Sequence, residues 1–319
     1  MNKMLRNGLL GVMLLAFIGF PLMNPGQYVL QIGVMVFYFA LLGTAWTVAG
    51  GFTGLFSLGQ GAFVGMGAYV SSLLFMHFGI SPWFGIFGGM VASGLLAILI
   101  GYPVFRFGLR DDYFALITIA FGYVVYEVAN GLPGLTGGPQ GLSLPLVVKS
   151  TIWTMQYSPK PDYFLALCLW AVTIAAAVIV GRSRLGLLMK AVRDDEPSAV
   201  RIGVETRRVK LIAFVLSAGL SALAGTLYAQ TYLFFDPSSL MSLSVSVQIV
   251  LMAVFGGMTS PWGATLGALI LVPLDQWLSN ALPQSLTGLD FVVYGLILIL
   301  LMRYMPKGLM GFVKDRWAR

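Results

Sequence analysis

The chain lacks most of the residues that carry catalysis. Its 319 residues include one cysteine, Cys168, and one histidine, His77. A lone cysteine inside an apolar run excludes a disulfide framework and argues against thiol redox chemistry. One histidine and one cysteine cannot compose an ordinary transition-metal site. No Ser-His-Asp set or paired carboxylate cluster points to catalysis either. The chain is expected to be neither an enzyme nor a metal carrier. Gly-x-x-x-x-Gly-Lys-Ser/Thr is missing, and no glycine is followed by lysine. Nucleotide phosphates therefore find no P-loop here, and any ATP used must be bound by another chain. Charge is scarce too: 10% of residues are charged, against about a quarter in a soluble domain.

What fills the chain is apolar. Hydrophobic residues make up 58% of it, and mean hydropathy is +0.87. Glycine (39) and methionine (16) are abundant, as in bundles where small residues let helices approach closely. The reading is an all-α, polytopic transmembrane helical bundle, with residues 1–319 as a single transmembrane domain. Ten segments are long and apolar enough to cross a bilayer, or nearly so: 7–23, 28–49, 58–78, 82–104, 112–131, 163–181, 207–233, 242–257, 262–280 and 289–305. With Lys3 and Arg6 inside and the first span retained, every basic residue except Lys149 and Lys160 falls on the cytoplasmic side. The positive-inside rule thus selects an even span count with both termini cytoplasmic. Eight spans plus re-entrant segments would keep the same sidedness. The net charge of +7 follows from this topology and does not imply nucleic-acid binding.

Some stretches suit a plain spanning helix poorly. Gly50 to Gly61 is apolar, yet its glycine density disfavours continuous helix. Non-helical backbone at membrane depth needs protein or a watery cavity around it. Thr53, Ser57 and Gln60 are candidate polar groups along a translocation pathway, and Ser217 and Thr259 join them. The competing reading is close packing through Gly50–Gly54 and Gly61–Gly65. A second interrupted stretch, Gly256 to Gly263, hints at an internal repeat. Ser217, Ser221 and Gly225 form a small-residue stripe suited to sliding against a partner. The outside loop through Thr136, Gly137, Gly138, Pro139 and Gln140 is a structured turn. It is either a docking surface for an extracytoplasmic partner or a cover over helix ends.

Charge concentrates in one place. Arg182 to Lys210 holds eight of the 19 basic residues between two apolar segments. Within this loop, about 182–208, residues Arg193, Asp194, Asp195, Glu196, Ala199, Val200, Arg201, Ile202 and Gly203 read as a short solvated helix. The acidic residues suit a helix N-terminus, Pro197 suits a first turn, and Gly203 is a natural stop. A loop that merely anchored the chain on anionic lipid would gain about 1 kcal/mol per basic residue. That accounts for the arginines but not for the acidic start and the glycine stop.

The spacing Glu196-x-x-Ala199-x-x-x-Gly203 resembles the cytoplasmic coupling motif of ABC-importer permeases. The surroundings resemble LivM-type permeases of high-affinity branched-chain amino-acid transporters over nearly the whole chain. The likeness runs through Gly54 to Phe63, Gly67-Ala68-Tyr69, Leu109 to Thr118, Leu135 to Gly141, Arg182 to Gly186, Ala191 to Glu196, Phe255 to Met258 and Pro306 to Leu309. Pro197 is a departure, since that family has a helix former there. The resemblance implies a multi-pass subunit of the bacterial inner membrane, paired with a LivH-like second permease. It also implies two cytoplasmic ATPase subunits that bind ATP and Mg, and a periplasmic substrate-binding protein. The substrate expected is a branched-chain or hydrophobic amino acid. Urea, short amides or other small solutes are the alternative, and a stand-alone channel or ion-coupled carrier is the outside option.

Overall fold

The computed structural model describes residues 16–23, 25–108, 111–146, 154–157 and 159–281, with residue 295 and residues 308–311. Most of the first expected span, all of the tenth (289–305) but residue 295, Arg110, Lys149 and the basic residues at both ends lie outside the described residues. Among the described residues the helices that build the bundle follow in order. They are α1 (Gln27–Trp46), α2 (Gln60–Phe78), α3 (Pro82–Arg106), α4 (Asp111–Gly131), α5 (Pro133–Thr136), α6 (Pro159–Arg182), α7 (Arg184–Asp194), α8 (Glu196–Arg201), α9 (Thr206–Tyr232), α10 (Pro237–Met241), α11 (Leu243–Gly256) and α12 (Gly263–Ala281). A two-residue ribbon pairs β1 (Leu142–Ser143) antiparallel with β2 (Phe234–Phe235).

Among the described residues, seven helical stretches are long and apolar enough to cross a membrane. They are Gln27–Thr53, Gln60–Phe78, Pro82–Arg106, Tyr113–Gly131, Pro159–Arg182, Thr206–Tyr232 and Pro237–Gly256. The architecture is an all-α polytopic bundle. α12 covers the ninth expected span but falls outside that set, because Asp275, Gln276, Ser279 and Asn280 dilute its apolar character. It still packs along α1 and α11.

α9 is the axis of the bundle, lying against α1, α2 and α3. Lipid is as apolar as a leucine side chain, so close packing rather than water exclusion must hold such helices together. The glycines provide it. A Cβ on Gly225 would lie 1.9 Å from the Val64 carbonyl oxygen, and one on Gly67 would lie 2.3 Å from that of Ala222. The α9 stripe of Ser217, Ser221 and Gly225, expected to face a partner, is instead buried against α2 of the same chain. Its small residues leave room for a backbone, and α2 supplies that backbone.

Two apolar cores flank this seam. One gathers α1, α6, α9, α11 and α12 around Phe37, Trp46, Tyr163 and Trp170. Phe17, at the end of the first expected span, closes on it with ring centroids 5.2 Å from Phe37 and 5.7 Å from Trp170. The other joins α2, α3, α4 and α9 through Phe63, Phe105, Phe114 and Phe214. α4 is the least covered of the seven, with 22% of its apolar window buried against 78% for Gln27–Thr53.

Candidate functional site

Between α6 and α9 the chain forms a compact arm. Ser183 caps α7 by accepting from the Gly186 N–H at 3.3 Å. Gly186, Met189 and Val192 form the buried stripe of α7. The sequence reading missed this helix, although Leu185, Leu188, Met189 and Val192 fall at helical spacing. It also placed one helix from Arg193 to Gly203, whereas the structure has two. Arg193 and Asp194 end α7, Asp195 is extended (φ −159°, ψ 100°), and α8 starts at Glu196. Pro197 explains the break. In one continuous helix Pro197 would offer no N–H to the Arg193 carbonyl and its ring would clash with it, whereas in a first turn that N–H would be unpaired anyway. Asp195 holds the N-cap position without a side-chain cap hydrogen bond. Gly203 stops the helix at φ +89°, and the Val204 N–H closes back on the Ala199 carbonyl at 3.0 Å.

Charged contacts seat the arm on the bundle. Arg193, expected as a flanking charge, is an anchor: its Nη1 donates to the Gly51 carbonyl at 2.9 Å. Glu196 pairs with Lys210 in the first turns of α9, with Nζ 2.6 Å from Oε2. The Lys210 side chain is 7% exposed, and a buried ammonium needs such a partner. Ala199 is buried beneath α8. What remains outward is apolar, with Val200 54% and Ile202 78% exposed beside exposed Arg201.

The first interrupted stretch follows directly. α1 continues through a π-turn, Thr47–Gly51, and residues 54–59 then run without helix up to α2. Trp46 Nε1 donates to the Ser57 carbonyl at 2.8 Å, and the Leu58 N–H donates to Thr118 Oγ1 at 3.1 Å. Gln60 Nε2 donates to Ser217 Oγ at 3.0 Å and Ser221 Oγ at 2.5 Å. Ser217 stands eleven residues into α9, about 17 Å along its axis. The start of α2 therefore lies deep in the bundle. Thr53, Ser57, Gln60 and Ser217 are all buried, with Thr53 Oγ1 bonded back to the Ala49 carbonyl at 2.5 Å. Of these, Gln60 and Ser217 tie α2 to α9. Thr259 is apart from them, exposed in the turn after α11. That turn touches the first break at one point, where a Cβ on Gly51 would sit 1.8 Å from the Met258 carbonyl oxygen. Gly50, Gly61 and Gly65 likewise meet side chains or backbone within van der Waals range, as close packing requires.

At the other end of the bundle, Thr136 staples the loop. Its Oγ1 donates to the Ala129 carbonyl at 2.5 Å and accepts from the Gly138 N–H at 3.2 Å. Gly138 is buried, Gly137 is half-buried, and Pro139 and Gln140 are exposed. Leu132, Leu135, Leu146 and Phe234 give this end an exposed apolar surface. Asp236 begins α10 with hydrogen bonds from Ser238 and Ser239. Partial burial alone would raise its carboxyl, but those bonds hold it below the usual carboxylate range. Among the described residues no group of His, Cys, Asp and Glu could hold a metal ion.

The described residues thus form a helical bundle with a buried, broken span at its heart, a seated arm at one end and a stapled loop at the other. The chain belongs to the family of permease components of branched-chain amino acid transport systems, whose pattern matches residues 28–302. It is 29% identical to the high-affinity branched-chain amino acid transport system permease protein LivM of Escherichia coli, over 90% of this chain and 71% of that protein. It is 27% identical to LivH of the same organism's system, over 86% of this chain and 91% of that one. The autoinducer 2 import system permease protein LsrC of Yersinia pseudotuberculosis is 28% identical over 59% of this chain and 54% of its own length. No solved structure matches the chain.

Proposed function

We propose that this chain is the LivM-like half of an ATP-driven importer of branched-chain or hydrophobic amino acids in the bacterial inner membrane. It pairs with a LivH-like permease, and the periplasmic binding protein docks at the loop of Thr136 to Gln140. Two cytoplasmic ATPases bind ATP and Mg and engage α8. The chain crosses the membrane ten times with both ends inside, as the distribution of basic residues supports. The observation that carries the reading is α8 itself. It is a short helix seated by Arg193 and by the Glu196–Lys210 pair, and it leaves Val200 and Ile202 in water. Apolar side chains held out on a rigid mount suit insertion into a groove on an engine subunit, which would convert closure of the ATP sites into movement of the spans.

The test is Ile202→Asp in the complete complex. It is expected to lower ATPase co-purification and solute uptake by roughly ten-fold or more, since buried interface anchors are worth about 1–2 kcal/mol or more each. Undiminished co-purification would remove α8 from the role. The likeness to LsrC favours a second reading, a different small solute. Calorimetric titration of the binding protein with leucine, urea and short amides decides between the two.

A further inference from the structure

We infer that α9 is a rod that carries movement of the arm into the mid-membrane break, with Lys210 and Gln60 as its positioning residues at the two ends; this rests on the coupling role proposed above. Lys210, Ser217 and Ser221 are separated by seven and four residues. At 100° per residue the three fall within about 20° of one line along the helix. One stripe of α9 therefore holds the arm through Glu196 and, about 17 Å further on at Ser221, holds Gln60.

The surrounding contacts decide where a displacement must go. α2 is fixed to α9 along its length, by the Gly225–Val64 and Gly67–Ala222 approaches and by Thr226 Oγ1 donating to the Gly67 carbonyl at 3.3 Å. The two helices move as one body, because their backbones already touch. Residues 54–59 are instead held to other helices, to α1 through Trp46 and to α4 through Thr118, whose carbonyl oxygen a Cβ on Gly59 would also meet at 2.3 Å. A shift of α9 relative to α1 and α4 is thus taken up in 54–59, and Gln60 is the grip at its edge. Past Gly54, whose N–H still reaches the Gly50 carbonyl at 3.2 Å, that stretch has no helical ladder to break. Gln60 Oε1 and Ser57 Oγ are buried with no hydrogen-bond partner among the described residues, which leaves the turn bonding capacity for a second setting. Arg193 ties the arm to the near end of the same stretch through the Gly51 carbonyl.

The experiment uses the complete complex in liposomes and reads solute taken up per ATP hydrolysed. Gln60→Leu and Lys210→Met are each expected to lower that ratio roughly ten-fold, within the usual range of coupling between sites, because uptake falls more than hydrolysis. Glu196→Lys combined with Lys210→Glu is expected to recover at least half of the ratio that either single change loses. Should Gln60→Leu fail to assemble, Ser217→Ala with Ser221→Ala removes the hydroxyl acceptors and tests the same grip. A ratio that stays at the wild-type value, or uptake and hydrolysis falling in parallel, overturns the rod. Retained ATPase binding by Ile202→Asp would overturn the coupling role itself, so the two failures are distinguishable.

Discussion

The two irregular stretches of this bundle look alike as sequence and differ as structure. The second, Gly257 to Trp262, is closed by backbone against backbone. A Cβ on Gly256 would lie 1.7 Å from the Gly263 carbonyl oxygen, and one on Gly267 would lie 2.1 Å from that of Met252. α11 and α12 are therefore welded at the turn, which Gly257 enters at φ +113°. The first stretch, 54–59, touches backbone closely at its last residue, where a Cβ on Gly59 would lie 2.3 Å from the Thr118 carbonyl oxygen, but before that it is held by exchangeable hydrogen bonds from Trp46 Nε1 and to Thr118 Oγ1. Glycine contacts resist any change of spacing, because interpenetrating backbones have no alternative arrangement. Hydrogen bonds can be traded for others at small net cost. The difference assigns rigidity to the late break and adjustability to the early one.

The sharpest way to break that comparison is Gly256→Ala. A methyl group there meets backbone rather than a side chain that could turn away. The expected cost is on the order of 3–5 kcal/mol, at the top of the range for overpacking. The folded yield in detergent should fall severely, and thermal unfolding of the remainder should occur well below wild type. A variant of normal yield and midpoint would show that the late turn is not welded.

Thr118→Val probes the early break and should act differently. The substitution keeps the shape of the side chain while removing the acceptor for the Leu58 N–H and the donor to the Ala115 carbonyl. A stability loss of about 1–2 kcal/mol is expected, small enough for the complex to assemble. Uptake per ATP should nonetheless change by more than two-fold, because the segment's hold on α4 is altered. If stability falls as far as in Gly256→Ala, the early stretch is as rigid as the late one.

Much of this was legible in the sequence, and the exceptions share a cause. Composition and apolar run length suffice for the helical bundle, and the glycine clusters mark both breaks. Gly203 and the acidic residues mark α8. What one dimension hides is which surface faces which. Ser217 and Ser221 read as a face for another subunit, yet their partner is Gln60, 157 residues before the first and 161 before the second. Arg193 reads as an exposed flanking charge, and the Gly51 carbonyl claims it. In a membrane protein apolar residues face lipid and core alike, so polarity alone cannot tell inside from outside. Small residues and buried polar side chains hold that information, and it is read only after the helices are placed.

The smallest expected effect lies at the outer flank of the early break. α10 packs against the start of α2, where a Cβ on Gly61 would lie 2.9 Å from the Leu240 carbonyl oxygen, and the following helix α11 accepts the Gly61 N–H at Ser246 Oγ, 2.9 Å away. Asp236 fixes the entry to α10, and its carboxyl is held below the ordinary value of 3.8 by bonds from Ser238 and Ser239 that outweigh its burial. A carboxyl lowered on folding stabilises above its unfolded value and loses that contribution as pH falls through the folded one. The cap is therefore intact at neutral pH and fades only below about pH 4. Amide exchange, corrected for intrinsic rates, should rise modestly for residues 237–246 between pH 5 and pH 3 while residues 256–267 stay protected. Asp236→Asn, which keeps a capping oxygen but not the charge, should remove the pH dependence and leave exchange at neutral pH within about three-fold of wild type. Equal loosening of both breaks in acid would mean that they are mechanically one element, and the contrast between a welded late turn and an adjustable early one would fall with it.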